Sequence, residues 1–289
     1  MADQAQALRH MVYSKDKQSP HSTRILTVTS GKGGVGKSNF SLNFAMALQK
    51  RGFRVLLFDA DIGMANIDVL LGIPATYNLF HLLKREKTIW EIIQTGPSGL
   101  QFIAGGSGFQ DLIRLSDKDL EYFAGEIGKL HGHVDFLLFD TGAGLSKETV
   151  RFITAADETL IVTTPEPTSI TDAYALIKMV KSMGHDVTFK LIVNRVSDDR
   201  EGRQTADNIR QVASRFLGLD IPLLGFVPDD ASVSKAVKRQ TALAVAFPES
   251  PACRGIDNIA SRYLAEKPDD DRGGTAVRFM QKIRRLWSR

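Results

Sequence analysis

The chain has 289 residues, 43% of them hydrophobic and 24% charged, with a formal net charge of +4. This is the profile of an ordinary soluble globular protein, long enough to bury one substantial core, and so small a net charge does not by itself indicate nucleic acid. A single cysteine, Cys253, excludes an internal disulfide or a multi-cysteine zinc site within one chain and suits a reducing cytoplasm.

Residues 1–23 are polar, include Pro20, and read as a short helix followed by a linker. From Arg24 onward short apolar runs recur: Ile25 to Val28, Val55 to Phe58, Phe136 to Phe139, Leu160 to Val162, Leu191 to Val193 and Leu223 to Val227. They are continuous rather than alternating, as expected for strands buried on both faces. Helical stretches lie between them. Phe40 to Arg51 stops at Gly52, Thr171 to Met183 stops at Gly184, and Glu201 to Phe216 and Pro251 to Leu264 also read as helices. The alternation predicts an α/β fold with a mainly parallel sheet flanked by helices on both faces, and ligands at the carboxyl ends of the strands. Residues 24–266 form this domain. Residues 267–274 read as a linker and 275–289 as a last short segment. No run of about 18 apolar residues suggests a membrane span, and the first residues lack the apolar stretch of a secretory signal.

Gly31-Lys32-Gly33-Gly34-Val35-Gly36-Lys37-Ser38 fits G-x-x-x-x-G-K-[ST] in full, with a predicted strand before it and a predicted helix after it. Glycines let backbone N–H groups close around phosphate oxygens, and the helix N-terminus adds partial positive charge. Gly33 through Ser38, with Asn39, are the expected nucleotide-binding run. Lys37 should reach the β- and γ-phosphates of ATP, and the Ser38 hydroxyl should bind Mg²⁺. Two apolar strands end in carboxylates, Asp59-Ala60-Asp61 and Asp140-Thr141-Gly142. Phosphoryl transfer mostly needs positioning and charge neutralisation, so no histidine or cysteine nucleophile is required.

Lys32, a second lysine inside the loop, makes the octet similar to the deviant Walker A ATPases of the SIMIBI class of P-loop NTPases, which include MinD and ParA. The resemblance implies a three-layer P-loop fold and slow hydrolysis of ATP. It also implies a homodimer formed with ATP, in which Lys32 crosses to the nucleotide of the other subunit. Asp61 would activate the attacking water close to Mg²⁺, with Asp59 in a supporting role, and Asp140 would hold the magnesium shell. The family usually has proline where this chain has Gly142. Asn194, Pro228 and Asp230, at the ends of two later strands, match positions that surround adenine. The nitrogenase iron protein shares this loop, but its cluster needs two cysteines from each subunit, and this chain has one.

The termini narrow the resemblance. On a helical wheel Phe279, Met280, Ile283, Leu286 and Trp287 fall within an arc of roughly 120°, with Arg278, Lys282, Arg284, Arg285 and Arg289 on the remaining face. That is the pattern of a helix lying in the interface of an anionic membrane, and MinD is similar in carrying one. Asp3-Gln4-Ala5-Gln6-Ala7-Leu8-Arg9 resembles the D-Q-A-x-x-L-R element of the FlhG family (also called YlxH or FleN), MinD-like regulators of flagellar number and placement. There the element stimulates the GTPase FlhF, so Gln4, Leu8 and Arg9 are the implied contacts. The resemblance further implies flagellar switch-complex partners and a cytoplasmic protein held peripherally on the inner face of the cell membrane. No specific nucleic acid is expected, although a ParA-like DNA partition ATPase and a MinD-type division-site regulator remain as alternatives.

Overall fold

The computed structural model describes residues 23–61, 66–106 and 117–266, with the backbone alone for 117–121. The helix and linker read at 1–23, and the segment 267–289, lie outside the described residues apart from Thr23. In chain order the elements are β1 (Arg24–Ser30), α1 (Lys37–Lys50), β2 (Val55–Ala60), α2 (Ile67–Leu71), α3 (Leu79–Leu83), α4 (Ile89–Ile92), β3 (Gln94–Thr95), β4 (Gln101–Ile103) and α5 (Asp117–Gly128). Then follow β5 (Phe136–Ala143), α6 (Lys147–Ala155), β6 (Glu158–Thr163), α7 (Pro167–Ser182), β7 (Thr188–Val196), α8 (Asp199–Leu217), β8 (Leu223–Pro228), α9 (Ala231–Lys238), α10 (Leu243–Ala246) and α11 (Pro251–Ala265).

The eight strands form one sheet in the order β3-β4-β2-β5-β1-β6-β7-β8. Every pairing is parallel except β3 with β4. All six predicted strands are present, each extended by one or more residues. β3 and β4 were not legible as strands, because two or three residues carry no periodicity.

The continuous apolar runs follow from burial on both faces. Leu26, Val28, Leu57 and Leu138 pack under α1 and α11, whereas Ile25, Leu56, Phe58, Leu137 and Phe139 point to the opposite face, toward α3 to α6. Ile161, Leu191 and Val193 bury α7 and α8 on that same opposite face. This gives three layers. β1 lies between β5 and β6, so the loop after β1 opens at the carboxyl end of the sheet's centre, beside the ends of β2 and β5. Among the described residues no helix is long and apolar enough to cross a membrane.

Candidate functional site: the loop between β1 and α1

The glycine loop leaves β1 at Ser30 and enters α1 through Gly36, whose φ is 90°. Only glycine adopts that torsion readily, and a Cβ at this position would also lie 2.4 Å from Asn194 Nδ2. α1 begins with no side-chain cap and no acid in its first turn. Its first amides are therefore left for a ligand, and the helix dipole makes that ligand an anion.

Lys37, only 6% exposed, points back into the sheet, with Nζ 3.0 Å from Asp140 Oδ1 and 3.3 Å from Ser38 Oγ. Ser41, one turn further along α1, donates to the same Asp140 oxygen at 2.7 Å. The second oxygen, Asp140 Oδ2, is buried and meets no protein donor. An orphaned carboxylate oxygen in this setting is costly unless something outside the chain satisfies it. A hydrated divalent cation fits: Mg²⁺ keeps several waters and takes one or two carboxylates together with phosphate oxygens. Ser38, Asp61 and Asp140 are the residues that would supply oxygen ligands to such an ion.

Asp61 faces the same space. Its Oδ2 accepts from Asn66 Nδ2 at 3.2 Å. Burial raises its pKa and the charge of Asp140 adds to the rise, while Lys37 opposes it. A Cβ on Gly142 would stand 3.1 Å from Asp61 Oδ1, so the lack of a side chain there gives Asp61 close access to the end of β5. Asp59 is fully buried, and its pKa is pushed up to about 7 by burial and by Asp140. It accepts from the amides of Asp61, Asn66 and Ile67 at 3.1, 2.8 and 3.1 Å, tying the residues on either side of 62–65 to the end of β2.

Lys32 turns the other way. Its Nζ lies 3.0 Å from Glu166 Oε2 and 3.0 Å from Thr168 Oγ1, at the start of α7, with 40% of the side chain exposed. Asn194, at the end of β7, donates to Val35 O at 2.7 Å and so clamps the loop from the side. Pro228 ends β8 in register with Val196. Asp230 caps two helices at once, accepting from Ser232 N at 2.8 Å and Ala252 N at 3.1 Å. Burial tends to raise its pKa, but these amides hold it below the usual carboxylate range.

The fold thus gathers Lys37, Ser38, Asp61 and Asp140 at one point and brings Asn194 to the loop. Pro228 and Asp230 sit at the neighbouring strand end. Ser41, Glu166 and Thr168 were not anticipated. Ser41 could have been found from its four-residue spacing after Lys37; the two α7 residues carry no local signal. Gln4, Leu8, Arg9, Phe279, Met280, Ile283, Leu286 and Trp287 lie outside the described residues, as do Ile62 to Ala65 of the first acidic motif.

A glycine loop between a central parallel strand and an uncapped helix, with carboxylates at the two adjoining strand ends, defines a P-loop nucleotide-binding protein. Residues 26–243 match the CobQ/CobB/MinD/ParA nucleotide binding domain, and the chain belongs to that family. It is 39% identical over 272 residues to the flagellum site-determining protein YlxH of Helicobacter pylori, covering 92% of each chain. It is 38% identical over 256 residues to the antiactivator FleN of Pseudomonas aeruginosa, covering 88% of this chain and 89% of that protein. Among solved structures, the septum site-determining protein MinD of Pyrococcus horikoshii complexed with Mg-ADP superposes with a TM-score of 0.69 at 25% identity, covering 84% of this chain and 96% of that one.

Proposed function

We propose that the chain is a slow ATP-hydrolysing switch that dimerises with ATP and controls flagellar number and placement. The observation that carries this reading is the split between the two loop lysines. Lys37 is buried against Asp140, whereas Lys32 is partly exposed and paired with Glu166 at the start of α7. A cation placed there can serve a second copy. Its contact with the partner's nucleotide exists only in the dimer, which supplies the differential affinity that ATP-driven association requires.

In this reading the α1 amides and Gly33 to Asn39 hold the phosphates, and Lys37 exchanges Asp140 for the β- and γ-oxygens. Asp61 orients the water that attacks the γ-phosphorus, with ADP as the leaving group. Magnesium, held by Ser38 and Asp140, would neutralise charge on the phosphate oxygens. Lys32 from the other subunit adds a second positive charge where negative charge develops. Asn194, Pro228 and Asp230 border the base.

The flagellar assignment is supported by the similarity to YlxH and FleN. Attachment to anionic membrane through Phe279, Met280, Ile283, Leu286 and Trp287 fits this reading, as two weak helices on one dimer gain avidity. Stimulation of an FlhF-type GTPase through Gln4, Leu8 and Arg9, and contact with flagellar switch-complex proteins, belong to it as well. Size-exclusion chromatography of wild type and Lys32→Ala with ADP and with ATP tests the core of it. The wild type should dimerise with ATP alone, and the variant should stay monomeric with either nucleotide. A wild type that remains monomeric in saturating ATP would refute the switch.

A further inference from the structure

β8 closes the sheet on the side opposite β3. It pairs with β7, and among the described residues no strand pairs with its other edge. α8 and α11 close on this strand through glycines. A Cβ on Gly202 would lie 2.5 Å from the Phe226 ring, and one on Gly255 would lie 2.9 Å from Phe226 O. Between the two helices a groove of about 480 Å³ runs along the edge. Its floor includes Leu223, Gly225 and Phe226, each half-buried. No residue of the phosphate loop lines it.

The rims carry three exposed arginines, Arg203, Arg254 and Arg262, against one lining acid, Asp199. The ion pairs of Arg203 and Arg254 within the chain are long and solvated. Arg203 is 3.7 Å from Asp199, with both side chains largely exposed, and Arg254 is 3.9 Å from Glu249. Arg254 also donates to the Glu249 carbonyl at 2.6 Å, and Arg262 reaches the Leu223 carbonyl at 3.5 Å. Long, solvated pairs of this kind hold their partners only weakly. The guanidinium forks therefore keep most of their capacity for an incoming carboxylate. The register shift opposite Leu191 and Ile192 interrupts β8, and a bulged edge resists an added strand along its whole length. Recognition here must come chiefly from side chains. An apolar floor between basic rims suits a peptide that alternates acidic and apolar residues. The phosphates of a duplex would find the charge but leave the floor bare.

We propose that this groove docks an extended acidic segment of a partner protein, with its carboxylates on Arg203, Arg254 and Arg262 and its apolar side chains on Leu223 and Phe226. The groove shares no residue with the phosphate loop and meets the proposed base site only at Pro228, so nucleotide affinity measured on the same arginine variants separates the two readings.

The probe is a fluorescein-labelled eight-residue peptide of alternating glutamate and valine, titrated by anisotropy into the full-length protein. We expect saturable binding that weakens with salt, at least a tenfold loss in Arg254→Glu/Arg262→Glu, and no binding of the peptide with lysine in place of glutamate. Hydrogen exchange should show new protection at 223–228. Both arginines are exposed, so the variant should keep the wild-type melting temperature, which separates lost docking from lost folding; Arg203→Glu alone gives a second, milder variant. The proposal is overturned if the wild type fails to bind at millimolar peptide or if wild type and charge-reversed protein bind equally. It is also overturned if protection appears elsewhere or if a 20-base-pair duplex binds the arginines more tightly than the peptide. Tenfold tighter peptide binding on changing Asp269, Asp270 and Asp271 to asparagine would likewise overturn it, by assigning the groove to the chain's own acidic run.

Discussion

At the phosphate loop, Lys37 and Asp140 are buried and bonded to each other, while at the ends of β7 and β8, Asn194 and Asp230 spend their polar atoms on the backbone of Val35, Ser232 and Ala252. Under the proposed function the first arrangement is an exchange site, where a charged ligand would take over each partner without exposing an unpaired group. The second is a brace, whose loss loosens the frame before it touches the ligand. Asp140 and Asp230, the same residue type at two strand ends, thus play different parts, according to whether the partner is another charge or a main-chain amide.

Substitutions can break this contrast, and the largest effect should come from Lys37→Ala. It removes the ligand's cation and strands the Asp140 carboxylate in the core. We expect at least a 100-fold loss of ATP affinity by nucleotide titration, and a loss of about 3–5 kcal/mol in nucleotide-free stability by chemical denaturation. Unchanged stability would show that Asp140 does not rely on Lys37.

Asp61→Ala should come next. Asp61 faces the exchange site and braces little, so steady-state phosphate release should fall about 100-fold while ATP affinity stays within a few-fold. The variant should then accumulate as the ATP dimer and stay on anionic liposomes. Rapid turnover by this variant would end the catalytic assignment.

Asp230→Ala tests the brace. Losing two caps should cost about 1–2 kcal/mol and lower the melting temperature by roughly 2–8 °C, with or without nucleotide. The folded-state pKa of Asp230 is depressed, so its contribution is present above the unfolded carboxylate pKa and is lost as pH falls through the folded value. The gap between wild type and variant should therefore close on acidification below about pH 4.

Glu166→Ala should have the smallest effect. It releases Lys32 from an exposed pair worth about 0–1 kcal/mol, so half-maximal dimerisation should need up to about fivefold less ATP in light scattering. A rise in the ATP requirement would mean that Glu166 helps the dimer rather than holding Lys32 back.

Much of this molecule was readable without coordinates, and the readable part is the local part. The octet from Gly31 to Ser38 declares its own geometry, since positive φ at Gly36 and an uncapped helix start depend on residues next to one another. The six apolar runs announced a buried parallel sheet through the absence of alternation. Asp59 and Asp140 directly follow such runs, whereas Asp61, two residues on, is marked by the family resemblance. The tertiary structure decided which of these distant points meet. The strand order sets β2 and β5 side by side, with β5 next to β1, so Asp140 reaches Lys37 across 103 positions and Ser41 across 99. It also sets Glu166 against Lys32, separated by 134 positions, and lets Asp230 cap α11 as well as α9. Torsion preference and hydrophobic period act over a few residues, whereas these pairings depend on how whole strands and helices stack. The same limit hid the arginine-rimmed groove, whose three guanidinium groups come from two helices that only the edge of β8 brings together.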